Sequence, residues 1–555
     1  MDVEDNYDFI VVGSGAAGLV GAISARLAGL RPLIIEKSDR WGGTTAMSGG
    51  VLWIPANDAM TTEGVNDPPE RARSYITGLL GPDASERERA KAEAFLDHAP
   101  AMARLLASQG LTWVRNRDHP DYYPEIDGAG FGRTLEAKPI DGRQLGERLA
   151  SLRAVELDIP ALTSDKFGPA VLAKTGIRPA SVGARILLKH HVQKLRGQKP
   201  LGSGRGLAAS LMLIVDALKI PVRLSTPLVE LVVRNGAVEG VIVDNDGRRE
   251  TLAAPAGVLL AAGGFAQNAE LRRELQGFDK TWSNASPEDQ GDALTAARAI
   301  GAGTELLDDC WWMPTVEVGP QRRALALGLR ALPGSIVVDH NGRRYMNEAR
   351  SYMATGRIMR EHGAAEHRHW LIMDDRFLSR HIFPDLSPRH AREAMLANGT
   401  LKRGDTISAL ATECGLDPAV LCATVDRFNG FARSGRDLDF RRGETAYDRY
   451  WANPAHKPNA SLGEILRPPF RAAVLRPGDL GTNGGVKTDA AARVLDHEDR
   501  PIPGLYAAGN GSGSPFRKSY PGAGATIAAA ATYGYIAAHH AASRRTNAPL
   551  EVAVA

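Results

Sequence analysis

The first 36 residues contain two short apolar runs on either side of a segment with helical spacing. Residues 8–13 (DFIVVG) are apolar and β-branched and end on glycine, which is typical of a buried strand. Residues 19–30 (LVGAISARLAGL) place apolar side chains at helical intervals, and residues 31–36 (RPLIIE) form a second apolar run that ends on an acid. This order predicts one strand–helix–strand unit.

The turn of this unit has the spacing of a dinucleotide-binding loop. Gly13, Gly15 and Gly18 form a G-x-G-x-x-G pattern between the predicted strand and helix. The first glycine permits a tight turn, the second lets a diphosphate approach the backbone, and the third lets the helix pack closely on the strand. Glu36 can accept hydrogen bonds from a ribose. The alternative is an ordinary turn with incidental glycines, which the flanking strand, helix and acid disfavour.

A second loop rich in glycine and hydroxyl groups follows the acid and favours FAD over NAD. Glu36, Lys37 and Ser38 lead into residues 41–50 (WGGTTAMSGG). Backbone N–H groups and hydroxyls in such a loop can bind the long ribityl–diphosphate chain of FAD, and an NAD-binding fold has no regular need of them. From these two loops we predict cofactor contacts at Gly13, Gly15, Ala16, Ala17, Gly18, Glu36, Lys37, Ser38, Gly42, Gly43, Thr44, Thr45, Ser48, Gly49 and Gly50.

Further pieces of the same domain lie far downstream. Residues 228–243 are predicted to form two strands joined at Asn235-Gly236, a strong hairpin signal. Residues 258–268 and 504–514 each show a buried strand that ends in glycines, and a helix rich in small residues is predicted from about Gly524. The contacts expected in this part of the chain are Val229, Ala262, Gly263, Gly509, Asn510, Ala525 and Thr526.

The segment between these pieces has a different pattern. Residues 333–348 predict a strand, an Asn-Gly turn and a second strand, 369–375 a further strand, and 389–398 and 418–433 helices. Residues 60–165 are expected to be mostly helical, with a loop at about 116–142. We therefore predict an α/β fold, with a discontinuous Rossmann-like FAD-binding domain and an inserted α+β catalytic domain. The expected ranges are 1–290 and 466–555 for the FAD-binding domain and 291–465 for the insert.

Composition excludes several other classes of protein. The net charge of +3 is too small for a dedicated nucleic-acid binder, and three cysteines cannot form a disulfide scaffold or a four-cysteine metal site. No metal site is predicted. The acidic N-terminus lacks the apolar segment of a signal peptide, and no apolar run reaches the roughly 18 residues of a membrane-spanning helix. We expect a cytoplasmic protein.

Several motifs together resemble a known group of flavoproteins. Residues 9–50, 258–268 and 501–511 are similar to the FAD-binding superfamily that contains fumarate reductases and 3-ketosteroid dehydrogenases. The motifs at 121–133 (DYYPE followed by Gly132-Arg133), 333–352 and 518–526 (KSYPGAGAT) narrow the resemblance to the 3-ketosteroid Δ1-dehydrogenases. The family usually has proline where this chain has Ala523. The resemblance is weakest at 150–210.

This resemblance implies 1,2-desaturation of a 3-ketosteroid with FAD as hydride acceptor. It assigns Tyr352 to proton abstraction, Tyr122 to support of that tyrosine, and Tyr520 with the backbone N–H of Gly524 to polarisation of the ketone. Tyr123 competes with Tyr122 for its position in the motif. The expected partners are a ketosteroid and a quinone-like or other electron acceptor, and no nucleic acid.

Alternative reactions and partners stay open at this point. The chain could desaturate a ketosteroid at C4–C5 or a smaller cyclohexanone, or act as a fumarate-reductase-like ene reductase, although the pattern around Arg517 differs from that of the reductases. Five tryptophans belong either to the core or to the wall of a steroid cleft: Trp53, Trp113, Trp282, Trp311 and Trp312. Residues 166–205 hold nine Lys/Arg and no Asp/Glu. This basic insertion is either a solvated surface or a peripheral contact with the inner face of the cell membrane.

Overall fold

In the computed structural model, a six-stranded sheet that we name the nucleotide sheet carries the predicted strand–helix–strand unit. The structure describes residues 7–154, 160–280, 282–319, 322–383 and 386–546, so residues 1–6 of the N-terminal segment lie outside it. The strands of the nucleotide sheet, in spatial order, are Arg493–Leu495, Pro501–Ala507, Gly257–Leu260, Phe9–Val12, Pro32–Ile35 and Val222–Arg223. All neighbouring pairs are parallel except the first.

Both faces of the nucleotide sheet are buried at its three central strands, Phe9–Val12, Pro32–Ile35 and Gly257–Leu260, which carry no polar side chain. Phe9 and Val11 belong to one apolar cluster, and Ile10 and Val12 belong to another on the opposite face. The helices Ala16–Leu27 and Ala525–Thr546 pack against each other, so that the last described helix of the chain lies on the first. Long continuous apolar strands of this kind are typical of parallel sheets covered on both sides.

A second, antiparallel sheet carries the inserted segment. Its strands are Arg323–Leu325, Thr315–Glu317, Phe470–Arg476, His369–Met373 and Ser335–Val338, and Leu401–Gly404 also pairs with Phe470–Arg476. Alternate residues enter two different cores: Val337 and Leu371 point to one, Ile336 and Ile372 to the other. This period of two is the pattern expected of a sheet that is covered on both faces.

The remaining elements connect and cover these two sheets. Smaller sheets consist of Arg248–Ala253, Ala237–Asn245 and Leu228–Arg234; of Val51–Trp53, Thr134–Ala137 and Trp113–Asn116; and of the pairs Ile140–Asp141 with Pro200–Leu201, Thr304–Glu305 with Gly485–Val486, and Cys310–Trp312 with Asp479–Thr482. The other α-helices are Gly43–Met47, Asp58–Thr62, Pro69–Leu80, Glu86–Ser108, Phe167–Val171, Ile177–Leu195, Ser203–Ala217, Ala269–Gln276, Asp292–Ala299, Tyr352–Glu361, Asp375–Arg380, Arg389–Ala397, Ile407–Cys414, Pro418–Ser434 and Ala446–Tyr450. Short 3-10 helices occupy Gly142–Ser151, Ser164–Lys166 and Gly509–Gly511.

The structure corrects three expectations about local order and boundaries. No second strand follows the Asn-Gly turn in 333–348, because Arg344 turns inward and ion-pairs with Glu348 and Asp437 at 2.8 and 2.9 Å. The expected insert 291–465 ends before Phe470–Arg476, the strand to which three others pair, and begins at a helix whose apolar residues belong to the core of the nucleotide sheet. The expected loop 116–142 contains the strand Thr134–Ala137.

No helix in the described residues is both long enough and apolar enough to span a membrane.

Close packing of the first and last helices gives a direct test of this arrangement. A Cβ added at Gly534 would lie 2.3 Å from the backbone oxygen of Ala17, so Gly534→Ala must push the two helices apart. We expect a loss of about 1–3 kcal/mol in the free energy of unfolding, the usual cost of overpacking. Gly430→Ala is the control, because its Cβ would meet only the tip of Arg433 at 4.0 Å. Chemical denaturation that shows equal stability for both variants would contradict the packing.

Candidate active site

A cleft of about 1800 Å³ runs from the glycine turn after the first strand to a group of buried tyrosines. Both sheets contribute to its walls, together with residues from the basic insertion. A cleft of this size exceeds what a drug-sized ligand needs and can hold a dinucleotide and a second molecule together. The glycine-rich loops line one part of the cleft. The tyrosines and a set of apolar side chains line the rest.

The glycine turn has the geometry that a dinucleotide requires. Gly13 has a φ of +107°, and a Cβ there would lie 2.5 Å from the backbone oxygen of Ala261. A Cβ at Gly18 would lie 1.9 Å from the oxygen of Gly13, so only glycine lets the helix begin this close to the strand. The helix N-terminus therefore faces the cleft with the positive end of its dipole, which suits a diphosphate.

Hydrogen bonds between the two glycine-rich loops shape this end of the cleft. The backbone N–H and the hydroxyl of Ser14 donate to the carboxylate of Glu36 at 3.1 and 2.6 Å. The N–H of Ala16 donates to the Thr45 hydroxyl at 2.9 Å, and the N–H of Gly42 donates to the Ser14 hydroxyl at 3.0 Å. The loops therefore form one surface, with an acid at its outer end.

Most of the cofactor contacts expected from the sequence line this cleft. They are Gly13, Gly15, Ala16, Ala17, Glu36, Lys37, Gly43, Thr44, Thr45, Ser48, Gly49, Gly50, Ala262, Gly263, Gly509, Asn510 and Thr526. The structure does not place Gly18, Ser38, Gly42, Val229 or Ala525 on its wall. Gly18 serves close packing instead, and the neighbour Leu228 lines the cleft in place of Val229.

Three tyrosines from distant parts of the chain meet at the inner end of the cleft. The ring of Tyr122 lies 5.1 Å from that of Tyr352 and 5.4 Å from that of Tyr520, and the rings of Tyr352 and Tyr520 are 5.3 Å apart. All three side chains are buried and line the cleft. Tyr123 is not on this wall, and its backbone N–H donates to the Tyr75 hydroxyl at 3.2 Å. The geometry therefore places Tyr122, and not its neighbour, in the group.

Backbone hydrogen bonds hold the first tyrosine segment to the last. The N–H of Tyr122 donates to the carbonyl oxygen of Pro521 at 3.0 Å, and the Tyr75 hydroxyl donates to the same oxygen at 2.7 Å. Tyr352 is the first residue of its helix, where the Ser351 hydroxyl accepts from the N–H of Ala354 at 3.3 Å. Each tyrosine is thus fixed by an element that begins or turns beside it.

Gly524 lies at the start of the last helix with a φ of +89°. A Cβ there would lie 2.1 Å from the backbone oxygen of Val51, so the position excludes every side chain. The backbone N–H groups of Thr526 and Gly524 face the hydroxyl of Tyr520, and the Thr526 hydroxyl lies 3.4 Å from it. Together, these donors and the positive end of the helix dipole suit an oxygen that gains negative charge.

Burial makes every one of these phenols a poor acid. The pKa of Tyr352 is raised well above its ordinary value by desolvation, and the neighbouring Tyr122 and Tyr520 raise it further. Desolvation also raises the pKa of Tyr122 and of Tyr520, while the hydroxyl of Thr526 opposes the shift at Tyr520. A tyrosine must lose its own proton before it can act as a base, so its negative charge here needs stabilisation by neighbouring groups.

The far end of the cleft is apolar and includes residues that the sequence did not single out. They are Phe167, Val171, Leu172, Leu329, Leu332, Phe383 and Trp451. The five tryptophans considered as possible wall residues do not line the cleft. The indole N–H of Trp53 donates to Asp121 at 2.7 Å and that of Trp312 to Asp309 at 2.7 Å, which places both in the core. Adjacent apolar residues in the weakly matched segment 160–182 were the available signal for this wall.

A buried ion network lies directly behind Tyr122. Arg133 donates to Asp121 at 2.6 Å and to Asp67 at 2.9 and 2.7 Å, and Asp121 also accepts from Trp53. The three ionic side chains are no more than 2% exposed. Sequence comparison highlighted Arg133 only as part of a motif, and the structure shows that it holds the residue next to the tyrosine.

The sequence of the whole chain is similar to those of known flavoproteins. A family model described as an FAD binding domain matches residues 8–527. The 3-oxosteroid 1-dehydrogenase of Mycobacterium tuberculosis is 40% identical over 565 aligned residues, which cover 97% of this chain and 98% of that protein. The chain belongs to the 3-oxosteroid 1-dehydrogenase family of FAD-binding flavoproteins.

Two further relatives are named for different substrates, a ketosteroid and a cyclohexanone carboxylate. The crystal structure of the 3-ketosteroid Δ1-dehydrogenase from Sterolibacterium denitrificans, in complex with 1,4-androstadiene-3,17-dione, superposes with a TM-score of 0.90 at 35% identity and covers 97% of this chain and 99% of that one. The 4-oxocyclohexanecarboxylate 2-dehydrogenase of Sinomonas cyclohexanicum is 32% identical over 96% of this chain and 92% of that protein. As a member of this family, the protein whose structure is described above is an FAD-dependent oxidoreductase.

The ion network behind Tyr122 predicts that replacing Asp121 lowers the free energy of unfolding far more than replacing Glu125, an acid of the same loop. Asp121→Ala leaves Arg133 with one buried partner instead of two, and we expect a loss of about 3 kcal/mol in the free energy of unfolding. Glu125→Ala is the matched control, because Glu125 is half-exposed and contacts Arg350 at 3.3 Å. Thermal or chemical unfolding of both variants measures the difference, and equal stabilities would show that the network does not hold the loop.

Proposed function

We propose that the protein introduces a double bond between C1 and C2 of a 3-ketosteroid, converting a 4-en-3-one to a 1,4-dien-3-one. The observation that carries this proposal is the convergence of Tyr122, Tyr352, Tyr520 and Gly524 in the cleft that the glycine-rich loops also line. Relatives at 40% identity over nearly the whole chain are named for this reaction.

The ketone oxygen binds between two donors. The Tyr520 hydroxyl and the Gly524 N–H lie side by side at the cleft wall, and the start of the last helix adds its positive dipole end. Donors that are already oriented stabilise the enolate oxygen more than the neutral ketone, because the charge develops there during proton loss. These two groups therefore acidify the C2 hydrogen.

Tyr352 takes the C2 proton, and Tyr122 supports it. The two rings meet edge to face at 5.1 Å, and the Tyr352 side chain lowers the pKa of Tyr122 against the effect of burial. A phenol with a raised pKa becomes an effective base only when a neighbour shares or passes on its proton. Tyr122 lies where it can do so, because its ring contacts those of both Tyr352 and Tyr520.

The cleft fits FAD as the group that receives the second hydrogen. The glycine turn, Glu36 and the residues 43–50 offer backbone N–H groups, hydroxyls and an acid in the order that a dinucleotide needs. When bound, FAD supplies the hydride acceptor, at N5 of its flavin. The residues that would hold the ketone beside it are Tyr520 and Gly524, which lie in the same cleft as the glycine turn.

The apolar far end favours a steroid over the alternative substrates. Leu329, Leu332 and Phe383 provide the surface that fused alicyclic rings bury, whereas a cyclohexanone carboxylate would leave it unfilled. The fumarate-reductase alternative is disfavoured by Arg517, which donates to Glu88 at 3.0 Å and to the oxygen of Leu80 at 2.8 Å and does not line the cleft.

We also propose how the two sheets divide the work. The nucleotide sheet and its helices form the FAD-binding domain, and the antiparallel sheet with Tyr352 and the apolar wall forms the catalytic domain. A quinone-like acceptor reoxidises the flavin in this proposal, and the support for it is that the chain carries a single G-x-G-x-x-G fingerprint, which the cofactor itself uses.

The basic insertion suits peripheral binding to an anionic bilayer. In the helix Ile177–Leu195, Ile177, Leu188 and Leu195 share one face at 100° per residue and are 89%, 65% and 75% exposed. Arg178, Arg185 and Lys189 form the adjacent stripe, the arrangement of an interfacial helix. The start of the same insertion lines the apolar end of the cleft, so a lipid-dissolved steroid could enter from the bilayer.

Substrate choice is tested by product analysis with an artificial electron acceptor. Androst-4-ene-3,17-dione should give the 1,4-diene, and its kcat/KM should exceed that of 4-oxocyclohexanecarboxylate because only the steroid buries the apolar wall. Faster turnover of the cyclohexanone would overturn the steroid assignment. Loss of hydrogen from C4–C5 of a 5α-saturated ketosteroid as the main reaction would overturn the position of the double bond.

Removal of one ketone donor should slow the reaction without releasing the cofactor. Tyr520→Phe deletes the hydroxyl and keeps the ring that packs on Tyr122, so we expect kcat to fall on the order of 100- to 1000-fold. Flavin absorbance of the purified variant should match that of the wild type. Tyr535→Phe is the control, because that tyrosine lies in the helix that follows Tyr520 and does not line the cleft. Near-wild-type turnover of Tyr520→Phe would refute the role.

Membrane binding is tested with vesicles of phosphatidylcholine and phosphatidylglycerol. The wild type should sediment with the anionic vesicles, and the double variant Leu187→Glu and Leu188→Glu should not, because both side chains are exposed on the basic helix. Leu438→Glu is the control, since Leu438 is 71% exposed and lies in a different part of the chain. Equal and negligible sedimentation of all three proteins would contradict the proposal.

A further inference from the structure

A fully buried arginine lies beneath the tyrosine group and has no part in the mechanism described so far. Arg330 is 1% exposed, in a turn whose neighbours Leu329 and Leu332 line the cleft. Its guanidinium donates to the backbone oxygen of Arg350 at 2.7 Å and also to that of Glu348. These carbonyls lie two and four residues before Tyr352, so Arg330 holds the chain that leads into the catalytic helix.

Unlike the other buried arginines nearby, Arg330 has no ion pair with any residue in the described part of the chain. Arg344 and Arg442 contact the carboxylate of Glu348 at 2.8 and 3.2 Å. Among the described residues, the hydrogen bonds that Arg330 donates end on backbone oxygens, and its Nε has no partner. A buried charge without a counter-charge is costly, so its presence calls for a group that becomes negative.

The two strongest electrostatic partners of Arg330 are phenols, and the carboxylate of Asp448 contributes less. Its electrostatic partners are first Tyr447 and then Tyr122, and both raise the pKa of the guanidinium against the effect of burial. The rings of Tyr447 and Tyr122 meet at 4.8 Å, and Tyr122 contacts Tyr352 on its other side. Arg330 thus lies at the end of a continuous row of phenols that begins at the catalytic tyrosine.

We propose that Arg330 is a positioning residue whose fixed positive charge stabilises the negative charge that the deprotonated Tyr122–Tyr352 pair carries before it takes the substrate proton. This inference rests on the proposed desaturation. The C2–H bond breaks and a Tyr352 O–H bond forms, the electron pair closes the new double bond as the C1 hydrogen leaves as hydride to the flavin, and the tyrosine pair then returns its proton to water. A guanidinium suits this role because it stays charged at every working pH.

Other titratable groups around the pair do not supply this charge. Tyr520, Tyr447 and Tyr450 are neutral phenols whose pKa values burial raises, in the case of Tyr450 to about 12. Burial lowers the pKa of His119, which stacks on Tyr122, to about 4, so its ring is neutral at pH 7. Arg442 and Asp448 also face Arg330, and Arg442 is already paired with Glu348.

The test is the pH dependence of anaerobic flavin reduction by androst-4-ene-3,17-dione in stopped flow. In the wild type the rate should rise with pH as the tyrosine pair loses its proton. In Arg330→Met the apparent pKa of that rise should move up by at least about one unit, which lowers the rate at pH 7 about tenfold or more. Arg350→Gln is the matched control, because it removes a half-exposed charge from the same segment and should keep the wild-type profile.

Arg330→Lys keeps the inference testable even if the methionine variant does not fold. A buried lysine keeps the positive charge at neutral pH and loses it at alkaline pH, so the rate should rise with pH and then fall. Lysine and methionine variants with equal loss of rate and the wild-type pH profile would overturn the inference and leave Arg330 a structural residue. No reduction of the wild-type flavin by any 3-ketosteroid would instead overturn the proposed function.

Discussion

A buried phenol can act as a base only if neighbouring groups stabilise the negative charge of its deprotonated form. This constraint organises the site. The three tyrosines that meet in the cleft are buried, and burial raises the pKa of each. In the mechanism we propose, several groups therefore share the charge: N–H donors at the start of the last helix act on the ketone oxygen, Tyr122 supports Tyr352, and the guanidinium of Arg330 lies beneath the row of rings.

The fold meets this constraint by bringing three distant segments to one point. The hydrogen bond from the N–H of Tyr122 to the oxygen of Pro521 joins positions about 400 residues apart in sequence, and Arg133 holds the first segment from behind. Packing of the last helix on the first aligns Gly524 with the glycine turn that receives the dinucleotide. The same long-range contacts therefore set both the cofactor loops and the ketone donors.

Local patterns predicted much of this, and long-range contacts explain what they missed. The glycine turn, the hairpin at Asn235-Gly236 and the helix after Gly524 depend on neighbouring residues, and the structure has all three. The absent strand in 343–348 could not be foreseen, since Arg344 turns inward toward Asp437, a residue more than ninety positions away. The apolar wall was missed for the same reason: Leu329, Phe383 and Trp451 come together only in the folded chain.

The central claim is that this cleft removes a hydride and a proton from adjacent carbons of a 3-ketosteroid. Its most direct test is a single turnover: the purified yellow protein is mixed anaerobically with androst-4-ene-3,17-dione, and the visible absorbance of the flavin is followed. The account predicts rapid bleaching with one equivalent of the 1,4-dien-3-one formed per flavin. A flavin that stays oxidised with this steroid, and bleaches with a 5α-saturated ketosteroid or a cyclohexanone, would contradict it.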